Sequence, residues 1–246
     1  DERSAAELLM AARDTVLSAA RHVGPLADAL ATVTEHIQEE SFGELMALLA
    51  RDRGRLRRLI EKFHGIGAVS QEVARILDVA SDRRVEDIIF DACGNNQIDT
   101  KALTRAADRL LNGTKKTDQP RGRTLRAWLS ADMDIRITTF SEYLLAFLTQ
   151  DGTPRVRLIT KQAAATAPDA ASALEGEAKR LCLVLEERRA AVTMQTTIAL
   201  LQLGGALLDA YETGKAALAR LDYDDLILKT IALLHENADA AWVLFK

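Results

Sequence analysis

No proline interrupts the sequence between Asp169 and Ala219, and the helical pattern there is nearly unbroken. That stretch constrains the fold more than any other, because an interior proline is the strongest single helix breaker. At ~1.5 Å per residue, one helix of this length would reach about 75 Å. Gly204-Gly205 can bend such a helix, since paired glycines weaken it locally. The pattern fits a single projecting helix and two consecutive bundle helices equally well. The remaining composition points the same way. Hydrophobic residues make up 48% but aromatics only 4%, Ala and Leu dominate, and four prolines and thirteen glycines are the only strong punctuation. This predicts an all-α fold, a multi-helix bundle or arm with one or more long helices. A chain of 246 residues can bury a substantial core and suits one large domain or two small ones. No repeat of 20–50 residues is evident.

Along the chain, Ser4-Ala-Ala-Glu7 and Ser41-Phe-Gly-Glu44 read as capping boxes opening helices. Gly24-Pro25 ends the first helix and starts a second, with Leu26, Leu30, Val33 and Ile37 on one stripe. The helix after Ser41 is expected to run on through Leu56, Leu59 and Ile60, bent at Gly54, until His64-Gly-Ile-Gly67. Shorter helices are predicted at about 70–79 and 83–93, then one from near Thr100 to Gly113. Residues 113–123 carry the clearest loop signals. Helices around Leu125–Ser130 and from about Ser141 to Thr149 follow, then a turn at Gln150-Asp-Gly-Thr-Pro154. Arg155 to Thr160 alternates charged and apolar side chains, which suits a short strand or merely extended chain. Trp128, Phe140, Tyr143 and Phe147 lie close enough to form a local core, whereas Trp242 and Phe245 suit a base or an interface.

Three basic groups stand out. Arg51, Arg53, Arg55, Arg57 and Arg58 put five arginines in eight positions, with Asp52 and Glu61 as possible internal partners. Lys115, Lys116, Arg121, Arg123 and Arg126 form a second group opposed only by Asp118, and Arg155, Arg157 and Lys161 a third. The rigid guanidinium fork suits phosphate oxygens, and such contacts weaken with salt. The alternative is a solvated helix face. No aromatic series accompanies them, which argues against a single-strand stacking platform. The net charge of −4 argues against wholesale coating of nucleic acid but leaves local patches open.

Chemistry is marked by what fails. A phosphate-binding P-loop needs Gly-x-x-x-x-Gly-Lys-Ser/Thr; here Gly214-Lys215 is followed by Ala216, and position 209 is Asp209. His22, His36, His64 and His235 are scattered, and the two cysteines, Cys93 and Cys182, have no zinc spacing. They suggest reduced thiols in a cytoplasmic protein. No nucleophile elbow Gly-x-Ser-x-Gly occurs. Adjacent Asp224 and Asp225 point apart by ~100° on a helix, which suits them poorly to a catalytic pair. Neither a membrane span nor a signal peptide is expected.

The stretch Tyr211-Glu-Thr-Gly-Lys215 and Leu221-Asp-Tyr-Asp-Asp-Leu-Ile227 is more specific. Physically, Asp222 is a good N-cap, Asp224 and Asp225 suit the first turn of the helix behind it, and Tyr211 and Lys215 share a face turned toward that Asp-rich segment. The wording, carried by Tyr211, Lys215, Leu221, Asp222, Tyr223, Asp224, Asp225 and Leu226, resembles the segment by which UvrD/Rep-like superfamily 1 helicases leave their inserted 1B subdomain. Ala241-Trp-Val-Leu-Phe-Lys246 looks like the approach to the magnesium-binding Asp-Glu-x-x-Asp motif in the AddA subunit of AddAB helicase–nucleases. Asp1-Glu2 and Leu158-Ile-Thr-Lys161 are similar to AddA-type phrases as well. The resemblance implies that 1–246 is a single helical 1B-type subdomain excised from a longer chain, with 221–246 returning toward the motor. It implies sequence-independent contact with duplex or forked DNA in double-strand break repair and recombination, in the bacterial cytoplasm. ATP, magnesium and an AddB-type subunit would belong to the parent protein, and the fragment alone is expected to hydrolyse nothing. A rival reading is a helical protein-interaction module without DNA binding. A helix-turn-helix at residues 70–93 with Arg83-Arg84 ranks third.

Overall fold

A computed structural model of the protein describes residues 2–113, 118–221 and 223–236. All regular structure among these residues is helical, thirteen α-helices and one short 3₁₀ turn. The protein is all-α, as its composition predicts. Contacts gather the chain into two compact units: a central unit of residues 74–193, and a terminal unit made of 1–73 with 194–246.

The terminal unit contains α1 (Glu2–Ala19), α2 (Pro25–Thr34), α3 (Glu39–Arg51), α4 (Arg53–Lys62), most of α5 (Ile66–Ile76), the second half of α12 (Pro168–Ala217) and α13 (Tyr223–Glu236). Pro25 begins α2 at its first position, where a missing N–H costs nothing. Two starts fall earlier than the capping boxes suggest. α1 begins at Glu2 and α3 at Glu39, so both Ser-x-x-Glu phrases lie inside helices. The expected bend at Gly54 is instead a break at Asp52, whose carbonyl accepts from the N–H groups of Arg55 and Leu56 and starts α4. α4 ends in a Schellman motif: the Gly65 N–H reaches the Ile60 carbonyl at 2.8 Å, with His64 in the left-handed region at φ 59°. α12 closes the same way around Ala219 at φ 49°. The core joins Ala12, Val16, Ala29, Val33 and Met46 to Ala199, Leu203, Leu207 and Tyr211 of α12.

The central unit holds α6 (Val85–Cys93), α7 (Thr100–Leu111), α8 (Asp118–Ser130), α9 (Met133–Thr138), α10 (Phe140–Phe147), α11 (Lys161–Thr166) and the first half of α12. Asp99 caps α7 by accepting from the Ala102 N–H at 2.9 Å. Leu103, Ala106, Ala107 and Leu110 then form one buried stripe at helical spacing. Against it lies α8, which corrects the expectation of a loop over 113–123. Pro120 sits in the first turn, where proline is tolerated. Gly122 is there for close approach: a Cβ at this position would stand 3.0 Å from the Ala107 oxygen, the Leu110 Cβ and the Leu111 nitrogen. Residues 114–117 lie outside the described residues. Trp128 stacks on Tyr143 with centroids 3.8 Å apart, and Phe147 meets Tyr143 edge-on at 5.1 Å, so the expected aromatic cluster is the heart of this unit.

α12 is one helix of 50 residues, not two. Gly204-Gly205 lies inside it without ending it. Cβ atoms there would come within 2.6 Å of Leu56 and 2.8 Å of Ile66, so the glycines make room for neighbouring side chains. One 18-residue window of α12 has a mean hydropathy of 1.4, long and apolar enough by those measures to cross a membrane. Half of that window is buried inside the protein. No strand forms among the described residues. A single antiparallel bridge joins Leu148 to Pro154, and residues 155–160 are irregular chain.

Candidate nucleic-acid interface

In the terminal unit the five arginines divide by helical position. Arg53 and Arg57, four residues apart, turn toward α12 and are half-buried. Arg53 donates to the Ala50 carbonyl at 3.3 Å and lies over the Tyr211 ring, 5.4 Å from its centroid. Arg57 forms an ion pair with Glu212. Among the described residues, the ion pair shown for the cluster is therefore with α12 and not with Asp52 or Glu61. Arg51, Arg55 and Arg58 face solvent. Lys62, exposed one turn beyond Arg58, extends that face into the stripe Arg55, Arg58, Lys62. The sequence reading missed Lys62, although the same periodicity that identifies apolar faces would have found it.

The Tyr211–Leu226 stretch is interlocked. Lys215 is only 3% exposed, and its Nζ donates to Asp225 Oδ2 at 2.6 Å and pairs with Glu212 at 3.0 Å. It also lies over the Tyr211 ring, 5.0 Å from the centroid. Glu212 thus links Arg57 to Lys215, and Lys215 links α12 to the first turn of α13. Lys215 turns toward the Asp-rich segment as expected, whereas Tyr211 is packed in the core of the terminal unit. Leu221, Tyr223 and Leu226 are exposed. Asp222, and with it the expected N-cap, lies outside the described residues, as do Trp242 and Phe245.

In the central unit, the second and third basic groups meet. Arg121, on the first turns of α8, donates to the carbonyls of Ala146 at 2.8 Å, Leu158, and Arg157 at 3.4 Å. Burial holds its pKa below the usual arginine range; nearby Arg155 pushes the same way and Asp118 opposes. Its guanidinium is committed to main-chain oxygens, and its role is to hold the 145–158 segment. Asp118 is buried and accepts from the Thr160 N–H at 3.3 Å and the Thr160 hydroxyl at 2.8 Å. Arg155 Nε donates to the Leu145 carbonyl at 2.9 Å. Arg126 pairs with Asp108 at 2.8 Å on the surface, a contact of small energetic weight. Arg123, Arg157 and Lys161 are exposed. Lys115 and Lys116 lie outside the described residues.

Elsewhere in the same unit, charge is spent on structure. Arg136, buried in the core, donates to the carbonyls of Trp128, Leu129 and Cys93 and to Asn95 Oδ1. Glu177 accepts from the Tyr143 hydroxyl at 2.8 Å and from Arg180 through both carboxylate oxygens. Among the described residues no group of three or more His, Cys, Asp or Glu side chains is placed to hold a metal ion. The exposed arginines and lysines of this arrangement are suited to phosphate oxygens. No protein-family model, known protein or solved structure matches this chain.

Proposed function

We propose that this chain is an accessory, 1B-like domain of an AddA-type DNA helicase acting at double-strand breaks, engaging backbone phosphates without reading sequence. The observation that carries the reading is how the arginines are divided. Those facing α12 are consumed by internal partners, whereas Arg55, Arg58 and Lys62 are left in register on one exposed face. Evenly spaced cations of this kind position a duplex by its phosphates. The Lys215–Asp225 pair supports the family resemblance physically, since it joins the two halves of the stretch on which that resemblance rests. ATP, magnesium and an AddB-type subunit belong, on this reading, to the motor and its complex in the bacterial cytoplasm, and this chain alone hydrolyses nothing.

Fluorescence anisotropy with forked and blunt DNA across a salt series tests the reading. Binding is expected to weaken with a slope of several released counterions. Reversing Arg55, Arg58 and Lys62 to Glu is expected to cost more than tenfold in affinity with helicity unchanged. Arg57 is left alone in that variant because of its structural pair. Wild-type affinity in the reversed variant would remove α4 as the contact surface. A second reading, a helical protein-interaction module, is favoured by one observation: Tyr223, Leu226, Ile227 and Leu233 of α13 are exposed. Absence of DNA binding at low salt would favour it, making the domain a spacer or subunit contact.

A further inference from the structure

The start of α8, residues 157–160 and the start of α11 frame a cleft of about 470 Å³, within the range of small-ligand sites. Its walls include Arg121, Arg157, Lys161 and Asp118, so three cations face one carboxylate. The carboxylate is already engaged, because Asp118 is 3% exposed and holds Thr160 by both its N–H and its hydroxyl. Arg121 likewise holds the carbonyls of Arg157 and Leu158 from below. Two charged groups on adjacent turns of one helix therefore fix the backbone from 157 to 160. Burying charge is costly, and a fold that only needed to close a loop has cheaper means. What these groups hold in place is an irregular segment flanked by two outward cations. The side chains of Arg157 and Lys161 make no hydrogen bond or ion pair among the described residues.

From this arrangement we propose that the cleft is a phosphate-binding subsite, with Arg157 and Lys161 as its ligands and Arg121 and Asp118 as positioning residues. A planar guanidinium fork and an ammonium point charge together match a group with three or more acceptor oxygens. A carboxylate would be satisfied by Arg157 alone. Arg155, whose charge already bears on Arg121, adds to the positive potential that an anion relieves. That the phosphate belongs to a DNA strand rests on the function proposed above; that the cleft takes a phosphate does not. The same chemistry in a free or small-molecule phosphate is the other source.

The test uses the full chain labelled with ¹⁵N. The amides of Thr160, Lys161 and Gln162 are followed during titration with inorganic phosphate against sodium chloride at equal ionic strength, beside anisotropy with forked DNA. Saturable shifts with phosphate are expected, lost in the Arg157→Gln/Lys161→Gln variant. The same variant is expected to bind forked DNA about tenfold more weakly, with a salt slope lower by about two counterions. Phosphate shifts without any DNA binding by the wild type would keep the cleft, assign it to small phosphates and overturn the helicase reading. DNA binding unchanged by the variant, with no saturable phosphate shift, would overturn the cleft and leave α4 as the DNA surface. Neither response would overturn both.

Discussion

Cys93 closes α6 with no exposed surface, and that burial pushes its thiol from the ordinary 9.0 up to about 11, against the pull of Arg136 and Arg180. The unfolded chain therefore releases this proton at a pH where the native protein still holds it. Stability from this group is complete below about pH 9 and is lost as pH rises toward 11. Tyr143, fully buried and donating to Glu177, is raised well above its ordinary 10.0, first by burial and then by the Glu177 charge, so it steepens the decline from about pH 10 upward. Thermal melts stepped from pH 8 to 11 are expected to fall. Cys93→Ala should flatten the lower part of that fall and Tyr143→Phe the upper. Parallel curves for wild type and Cys93→Ala would refute the assignment. At pH 8, thiol reagents should reach half-buried Cys182 well before Cys93.

Helix pairing in this protein rests on small residues whose significance is invisible at the level of turn signals. Gly122→Ala is expected to destabilise by about 1–3 kcal/mol, because its Cβ would meet α7 backbone that has no side chain to yield. Gly176→Ala, on an open face of α12 with nothing within 4 Å, should instead stabilise by up to about 1 kcal/mol. Urea unfolding of the pair separates packing from propensity. The same distinction explains what the sequence could reveal. The aromatic cluster was legible because large aromatic side chains close together in the sequence have few uses outside a core. Pro120 and Gly122 were misleading, since a loop and a tightly packed first turn use the same residues. α9 and α11, six residues each, are too short to show periodicity, and so went unpredicted. Gly204-Gly205 left one helix or two undecided because only the approaching Leu56 and Ile66 reveal its purpose. At the site, a count of arginines identified the clusters, but which of them face α12 depended on a partner, Glu212, far along the chain. The α12–α13 junction gives a further test. Lys215→Met would break the ion pair to buried Asp225 and is expected to destabilise the junction, and Lys215→Met/Asp225→Leu should recover part of the loss. Protease susceptibility of α13 should rise in the single variant and return toward wild type in the double.

Among the described residues, two hydrophobic cores form that share no residue. Among those residues, the central core draws on side chains between positions 79 and 191, the terminal core on positions between 8 and 50 and between 199 and 211. These differ in how the chain supplies them. The central unit is one continuous segment, carrying its aromatic cluster, its α7–α8 pair and the buried Arg136 and Glu177 networks within residues 74–193. A segment of that size buries roughly two thirds of its unfolded surface when it folds. Expressed alone, residues 74–193 are therefore expected to fold, with a helical spectrum and a cooperative urea transition. The terminal unit is discontinuous. Residues 1–73 supply Val16, Val33 and Met46, but the surface those side chains cover is built by Ala199, Leu203, Leu207 and Tyr211, which the chain delivers only after the central segment. Residues 1–73 alone should show fraying helices and no cooperative transition, since short amphipathic helices gain most of their stability from the face they bury. A cooperative transition from 1–73, or none from 74–193, would mean that the two cores do not carry the stability of their units.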